Sequence, residues 1–344
     1  MNIRQEWEAQ EAASLSPFAA KSAESKGRER YEEPCEIRTE FQRDRDRIIH
    51  SKSFRRLMHK TQVFISPGDH YRTRLTHTLE VSQIARTIAR SLRLNEDLTE
   101  AIALAHDLGH TPFGHTGEKV IDEILQGYGL RFRHSQQSLR VVDKLEREGR
   151  GLNLTYEVRN GIISHGGSSP FPETMEGQVV RISDRVAYLN HDIDDALRGE
   201  ILRAEDLPRD CISVLGESHS KRINRMVYSI ITSSRNNDKI AIEPEIKEAM
   251  DKLRTYMFQE VYIESKAKVE EVKVERLLKE LFEYYMGHEE DLPEDYRNNS
   301  EDKLIRVTDY ISGMTDNYSI VIFKNLFLPK GYKVQIHEDR IDRH

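Results

Sequence analysis

The chain has 344 residues, of which 37% are hydrophobic and 32% are charged, and its formal net charge is −7. This length allows one large domain or a core with an appendage, and the composition is typical of a globular protein rather than a disordered one. The excess of acidic residues excludes a general polyanion-binding protein.

The sequence contains no run of eighteen apolar residues, and its first residues lack the apolar stretch of a secretory signal. We therefore expect a cytoplasmic protein that does not enter a membrane. Cys35 and Cys211 lie far apart and lack a CxxC spacing. They are expected to be reduced thiols, neither a disulfide framework nor a thiolate zinc site.

Helical periodicity dominates the chain. Residues 79–92 repeat apolar side chains at three-and-four spacing, and Asn95 followed by two acidic residues predicts an N-cap that opens a helix to about His106. Further helices are predicted at about 115–125, 134–148, 155–164 and 176–198, and at several places between 217 and 312. Strand-like alternation is scarce, its clearest examples being 63–65 and 333–336. The sequence thus predicts an all-α protein.

Three segments are expected within this helical chain. Residues 1–60 form an N-terminal segment that contributes to the core and to the substrate site, 61–205 form the main helical core, and 206–344 form a helical C-terminal region. The polar stretches LPRDC and SSRNND mark the second boundary.

One short stretch, LAHDLGHTPFGHTGE at residues 104–118, concentrates titratable side chains. His106 and Asp107 stand where a helix of Ala and Leu runs into Gly109, and at a helix end two adjacent side chains can converge on one ion. Further ligands could come from His77, which has threonine neighbours, and from Asp184, which stands in an apolar segment. A buried carboxylate there needs a metal or an arginine as its partner.

Two histidines and two carboxylates form a mixed nitrogen and oxygen donor set. Such a set suits Mn, Fe, Co, Ni or Zn and, less well, Mg. Each position by itself has a plain structural alternative, and a second His-Asp doublet occurs at His191 and Asp192. Only the combination of the four residues points to a metal site.

The order of a histidine, a His-Asp doublet about thirty residues later and an aspartate on a later helix resembles the HD superfamily of metal-dependent phosphohydrolases. Five segments look like the deoxyguanosine triphosphate triphosphohydrolase-like family in particular: RTEFQRDRDRIIHSKSFRRLMHKTQVF, THTLEVSQIARTIAR, AHDLGHTPFGHTGE, EGQVVRISDRVAYLNHDIDDA and DYISGMTDNY. The resemblance runs from about Leu15 to Leu328 and implies an HD-domain helical core with additional C-terminal helices.

The resemblance implies a metal site of four residues and a reaction. The residues matching the family's ligands are His77, His106, Asp107 and Asp184, and manganese is the favoured ion. The reaction would hydrolyse a deoxynucleoside triphosphate, dGTP or several dNTPs, between the 5′-oxygen and the α-phosphorus, releasing the deoxynucleoside and tripolyphosphate. A metal acting as a Lewis acid that holds or activates a water fits this chemistry.

Catalytic roles follow from the same resemblance. The 5′-alkoxide is a poor leaving group that needs a general acid, and a base can activate the water. His115 and Glu118, three residues apart on one predicted helix face, match the positions near the scissile bond. His110 and His134 are further phosphate-binding or acid candidates, with a purely structural role as the alternative.

Substrate contacts are expected from two groups of side chains. Tyr188 and Asp192 follow Asp184 at helical spacing and match positions that contact the deoxyribose and its 3′-hydroxyl. Arginine fits phosphate bidentately, and the basic segment before residue 60 is either a solvated helix face or part of an anion site. The remaining candidates are Arg74, Arg185 and Lys60 for the phosphates and Gln62 for the sugar or base.

The sequence departs from the family beside one metal ligand. Asp184 is flanked by Ser183 and Arg185, where the family often has an alanine and an acidic residue. The extra arginine could bind phosphate or could neutralise Asp184.

Related proteins assemble as hexamers or tetramers, so a homo-oligomer is expected, and a nucleotide or single-stranded DNA effector is a further expectation. Two other hypotheses stay open. The first is another HD-type phosphohydrolase that releases phosphate or pyrophosphate stepwise, and the second is a non-catalytic nucleotide sensor, which the intact ligand set disfavours.

Overall fold

The computed structural model describes residues 1–62, 72–167, 169–263, 268–297 and 302–329. Within these ranges the chain folds into helices, with isolated β-bridges at Arg28–Thr155 and Thr61–Thr73 and no strand. The all-α prediction is therefore confirmed. Both predicted strands, 63–65 and 333–336, lie outside the described residues.

Sixteen α-helices are present in the described part of the chain. In order they are α1 Ile3–Ser14, α2 Glu40–Ile49, α3 Lys52–Arg56, α4 Arg74–Leu92, α5 Glu96–Ala105, α6 Gly114–Gln126, α7 His134–Arg140, α8 Tyr156–Ser164, α9 Met175–Arg198, α10 Arg209–Leu215, α11 His219–Ser234, α12 Pro244–Met257, α13 Lys268–Gly287, α14 Glu294–Arg297, α15 Lys303–Ser312 and α16 Asp316–Phe327. None of them is both long and apolar enough to cross a membrane.

Capping residues set the starts of the helices that carry the site. Asn95 caps α5 as predicted, because its side chain accepts from the Leu98 amide. Thr73 caps α4 in a capping box with Thr76. This cap places Arg74 at the first helical position, three residues before His77.

The helix predicted at 134–148 is shorter in the structure. Regular α-helix ends at Arg140, and residues Val141–Leu145 form a π-helical turn. Arg147 and Glu148 then adopt positive φ angles of 54° and 59°. The Glu146 carboxylate receives the backbone amides of Lys52 and Ser53, so a tertiary contact ends the helix where the sequence pattern continues.

Two apolar cores lie inside the molecule, and they do not follow the chain in order. The first extends from Ala19 to Val261 and includes α4, α5 and α9. The second joins α6 to α13 and α15 through side chains such as Ile121, Leu278 and Val307. The division into 1–60, 61–205 and 206–344 stays a prediction, while the packing shows that residues after 206 contribute to both cores.

Candidate metal centre and active site

Three helices bring the predicted metal ligands together. His77 is on α4, His106 and Asp107 directly follow α5, and Asp184 is in the middle of α9. The Nε2 atom of His77 lies 3.1 Å from Oδ1 of Asp184. The Nε2 atom of His106 lies 3.4 Å from Oδ1 of Asp107 and 3.8 Å from Oδ1 of Asp184. Four positions separated by up to 107 residues thus meet at one point.

The tautomer of His106 shows that the residues at this point are suited to a cation. Its Nδ1 lies 2.6 Å from the Ala103 carbonyl oxygen, which can only accept, so Nδ1 carries the proton. The lone pair of Nε2 therefore faces the two carboxylates, and among the described residues this buried atom has no hydrogen-bond partner. A bare lone pair beside two anionic oxygens is repulsive without a cation, so the residues fit a metal ion. His77, His106 and Asp107 also meet the distance criteria for a shared ion.

Both aspartates are held in the anionic form. Burial would raise the pKa of Asp107, but its hydrogen bond with His110 and the guanidinium of Arg74 hold it well below its usual range. Burial likewise opposes ionisation of Asp184, while the hydrogen bond from His77 lowers its pKa to about 2. The carboxylates are thus in the state that metal ligation requires.

Arg74 connects the candidate metal centre to a potential anion-binding group, its own guanidinium. Its Nη1 donates to Oδ2 of Asp107 at 2.7 Å, and the side chain is only 1% exposed. Its other nitrogens, Nε and Nη2, are also buried and have no hydrogen-bond partner within the described ranges. Unpaired buried donors are costly, and a guanidinium in this state is suited to an anionic ligand.

Next to the metal centre lies a chain of histidines and one glutamate. Glu118 accepts from the His134 amide at 2.9 Å and from its Nδ1 at 2.8 Å. The His134 ring stacks on His110 with a centroid distance of 4.0 Å, and Nε2 of His110 lies 3.2 Å from Oδ1 of Asp107. His115 is exposed on the first turn of α6. Three of the predicted catalytic residues, Glu118, His134 and His110, thus form a connected group beside Asp107. The fourth, His115, is on the same helix as Glu118.

Charge is distributed unevenly among these groups. Burial would lower the pKa of His134, but the hydrogen bond to Glu118 raises it, and the same bond contributes to a Glu118 pKa well below the usual range despite burial. Burial and Arg74 hold the pKa of His110 well below its usual value. The protein atoms packed around the His115 ring and the charge of Arg74 also lower the pKa of His115, although part of its side chain is exposed to solvent. The pair is thus an imidazolium beside a carboxylate, next to neutral imidazoles.

The predicted substrate residues are placed in different surroundings. Asp192 is 2% exposed, and burial raises its pKa to about 8. Tyr188 is half-buried on the same helix. Gln62 is buried, and its Oε1 has no hydrogen-bond partner in the described structure. The predicted sugar and base contacts of these three residues stay predictions.

Two predicted phosphate-binding cations have protein partners. Lys60 is 2% exposed and donates to the carbonyl oxygens of His110 and, at 2.8 Å, of Ser312, and burial lowers its pKa to about 7. Arg185 donates to Asp251 on α12 rather than to the neighbouring Asp184. Neither contact was expected from the sequence, and the phosphate roles of both residues stay predictions.

The C-terminal motif DYISGMTDNY contacts the backbone of segments that carry predicted site residues. Asp316 accepts from the Thr61 amide and from the Phe113 amide, both at 2.9 Å. Phe113 and Gly114 adopt the left-handed region, with φ of 61° and 57°, and a Cβ on Gly114 would lie 2.9 Å from the Gln62 carbonyl oxygen. The turn that presents His115 is therefore held by a residue two hundred positions away.

Two further residues of this region, His165 and Arg181, were not predicted from the sequence. His165 follows α8, and its Nε2 lies 3.1 Å from Nε2 of His134. Arg181, one turn before Asp184, donates to the carbonyl oxygens of Ser164 and Gly167, on either side of His165. A histidine at a helix end before a Gly-Gly pair could have drawn attention to His165, since His106 has a similar setting.

Comparison with known proteins agrees with the geometry. A family model described as "HD domain" matches residues 74–189, and one described as "Phosphohydrolase-associated domain" matches residues 240–325. The first range contains all four predicted metal ligands. The second contains Ser312 and Asp316, whose contacts reach the site.

Full-length relatives carry one common description. A "Deoxyguanosinetriphosphate triphosphohydrolase-like protein" of Caldanaerobacter subterraneus subsp. tengcongensis is 58% identical over 335 residues, which cover 96% of this chain and 98% of that one. Proteins with the same description from Clostridium perfringens and Desulfatibacillum aliphaticivorans are 50% and 49% identical, each covering 96% of this chain and 99% of the relative.

Proposed function

This chain belongs to the deoxyguanosinetriphosphate triphosphohydrolase-like family of HD-domain hydrolases, and from this we propose that it hydrolyses deoxynucleoside triphosphates to deoxynucleoside and tripolyphosphate. The substrate would be dGTP or several dNTPs. The observation that carries the proposal is the side-by-side arrangement of a cation site and a buried guanidinium with two unpaired nitrogens.

The metal would be held by His77, His106, Asp107 and Asp184. The ion, when bound, supplies a Lewis acid for a phosphate oxygen and lowers the pKa of a bound water. The donor set favours a transition metal over magnesium, and we propose manganese.

Arg74 is suited to bind the triphosphate. Its Nη1 is held by Asp107, so the guanidinium is oriented before a ligand arrives. The free Nε and Nη2 can then donate to phosphate oxygens without first breaking a protein contact. The triphosphate would then lie beside the proposed metal ligands.

Proton transfer would involve the groups on the α6 side of the site. Cleavage of the bond to the 5′-oxygen requires a donor for that oxygen, and His115 is the exposed histidine on α6. Glu118 lies one turn away and is anionic, so it can orient a water or a proton donor. His134 adds positive charge near the transferred phosphate, and His110 lines the same cluster.

The sugar would lie along α9. Tyr188 offers a ring surface four residues after Asp184, and Asp192 offers a carboxyl one turn further. Because Asp192 is buried and has a raised pKa, it can either donate to or accept from a 3′-hydroxyl near neutral pH. A tyrosine against the ribose ring would exclude a 2′-hydroxyl.

Product identity tests the proposal. Purified protein with Mn²⁺ is incubated with each of the four dNTPs, and the products are separated by ion exchange. The expected result is deoxynucleoside and tripolyphosphate in equal amounts, abolished in Asp184→Ala and unchanged in the control His50→Gln, whose side chain is exposed. Stepwise release of phosphate or pyrophosphate would overturn the proposal in favour of another HD-type nucleotide phosphohydrolase.

A further inference from the structure

His165 lies between the metal centre and the catalytic histidines. It is 3% exposed, and its ring contacts that of His106 edge-on at a centroid distance of 5.0 Å. On its other side, its Nε2 is 3.1 Å from Nε2 of His134. His165 therefore connects a predicted metal ligand to the Glu118–His134 pair, as His110 does through Asp107.

The direction of each hydrogen bond can be derived from the partners. Nδ1 of His165 lies 2.7 Å from the Ile162 carbonyl oxygen, so this nitrogen carries the proton and Nε2 has a lone pair. Nε2 of His165 must then accept, and Nε2 of His134 must donate. Because Nδ1 of His134 also donates, to Glu118, the His134 ring is held at both nitrogens.

The hydrogen bonds at both ring nitrogens of His134 also determine how this ring lies against its neighbours, Glu118 and His110. The ring is nearly parallel to that of His110, with an interplanar angle of 13°, and His110 in turn contacts Asp107. A rotation of His134 would therefore disturb Glu118 on one side and His110 on the other. The acceptor on His165 opposes this rotation.

The loop that carries His165 is fixed to the helix that carries Asp184. Arg181 of α9 donates from Nη1 to the Ser164 and Pro170 carbonyl oxygens at 3.1 and 3.0 Å, and from Nη2 to the Gly167 carbonyl oxygen at 3.0 Å. Arg181 stands three residues before Asp184. The position of His165 is thus tied to a metal ligand through one rigid helix.

We propose that His165 is a positioning residue for the hydrolytic reaction, and that its Nε2 holds His134 in register with Glu118, His110 and the metal ligands. The proposal rests on the proposed function in that it assigns His134 to the reaction. His165 acts through His134 and need not touch the substrate.

Three variants separate the hydrogen bond from mere packing. His165→Phe keeps a ring but removes the acceptor, whereas His165→Gln puts an amide oxygen close to the position of Nε2. His288→Gln is the matched control, because His288 also directly follows a helix and its Nδ1 bonds a carbonyl oxygen of that helix, at 3.1 Å, but its side chain is exposed to solvent.

The expected result is a loss of kcat of about ten- to a hundredfold in His165→Phe, with unchanged KM and bound metal, because removal of outer contacts at such sites has effects of this size. His165→Gln should recover most of kcat, and His288→Gln should match the wild type. Full kcat in His165→Phe, or an equal loss in His165→Gln, would overturn the proposal.

A second measurement does not depend on turnover. In the metal-free protein, the His134 Nε2 proton should be protected from exchange with water and visible in a ¹⁵N–¹H imidazole spectrum. It should disappear in His165→Phe and persist in His165→Gln, and its persistence in both variants would refute the hydrogen bond. If the wild type releases phosphate stepwise, the proposed function fails, while this spectrum and the kcat comparison still decide the role of His165.

Discussion

The Nη1 atom of Arg74 lies 2.7 Å from Oδ2 of Asp107, and both side chains are buried. A residue suited to bind phosphate is thus hydrogen-bonded to a residue suited to bind metal. Binding of the ion and of the triphosphate should therefore be coupled through this contact, while Arg74 itself is no ligand.

Replacing Arg74 should affect the substrate more than the metal. We expect Arg74→Ala to lower kcat/KM at least about a hundredfold, because two charge-assisted hydrogen bonds of about 1.5–3 kcal/mol each are lost. The kcat/KM of Arg74→Lys should lie between those of the wild type and Arg74→Ala, since one ammonium cannot bridge Asp107 and a phosphate as a guanidinium does. Steady-state kinetics and metal analysis test this, with the exposed Arg90→Lys as control. A variant that loses metal but retains affinity for dNTP would contradict the assignment.

Removal of a metal ligand should abolish both metal binding and turnover. His106→Ala or Asp107→Ala leaves only three of the four ligand side chains at the site. We therefore expect these variants to be purified without bound metal and to form no measurable product. Chelation of the wild type should give the same loss, reversed by added Mn²⁺. Elemental analysis alongside the product assay checks both readouts, and full activity in either variant would disprove the ligand set.

The Glu118–His134 pair should make stability depend on pH. His134 has a raised pKa, so its contribution is complete below about pH 6.5, its usual value, and is lost as pH rises through the folded pKa. Glu118 has a lowered pKa, so its contribution is complete above about pH 4.5 and is lost only as pH falls through its folded pKa.

In metal-free protein, the difference in Tm between wild type and Glu118→Gln should therefore be largest near about pH 5–6 and narrow as pH rises through the folded pKa of His134. The control Glu24→Gln, at an exposed ion pair with Lys21, should give a small and flat difference. A Glu118→Gln difference that stays constant across this range would show that the two groups do not share a proton-dependent bond.

Gly117 should not accept a side chain. A Cβ at this position would lie 1.9 Å from the Pro112 carbonyl oxygen, within the turn that carries His115. We expect Gly117→Ala to lower the free energy of unfolding by about 1–3 kcal/mol and to reduce activity with it. Gly287→Ala, where the space is open, is the matched control for urea denaturation. Equal stability of both variants would mean that the turn adjusts at little cost.

Asp316 should matter for catalysis although it lies outside the HD-matched range. Asp316→Ala removes the acceptor for the Thr61 and Phe113 amides, leaving one donor unpaired at the turn before α6 and one in the segment after α3. We expect kcat to fall about tenfold while bound metal is unchanged. The test is to measure kcat and metal content in this variant and in the control Asp302→Asn at the start of α15. Loss of metal from Asp316→Ala would contradict an effect that acts only through the turn before α6.

Local sequence was sufficient to predict most of the helices and to identify the four candidate metal ligands. Apolar spacing and the Asn95 cap are properties of neighbouring residues, and the order of His77, His106, Asp107 and Asp184 is a pattern within one chain. The same pattern led to the family that the relatives confirm.

Tertiary structure alone decided which partner each polar group has. His165 meets His134, Lys60 meets Ser312, and Arg185 meets Asp251. These partners stand 31, 252 and 66 positions apart, and buried polar groups take whichever partner the packing brings within about 3 Å. The periodicity of apolar residues cannot predict which of these distant residues pair, because it indicates only which face of a helix is buried. The early end of α7 has the same cause, since the carboxylate of Glu146 binds amides from a different part of the chain.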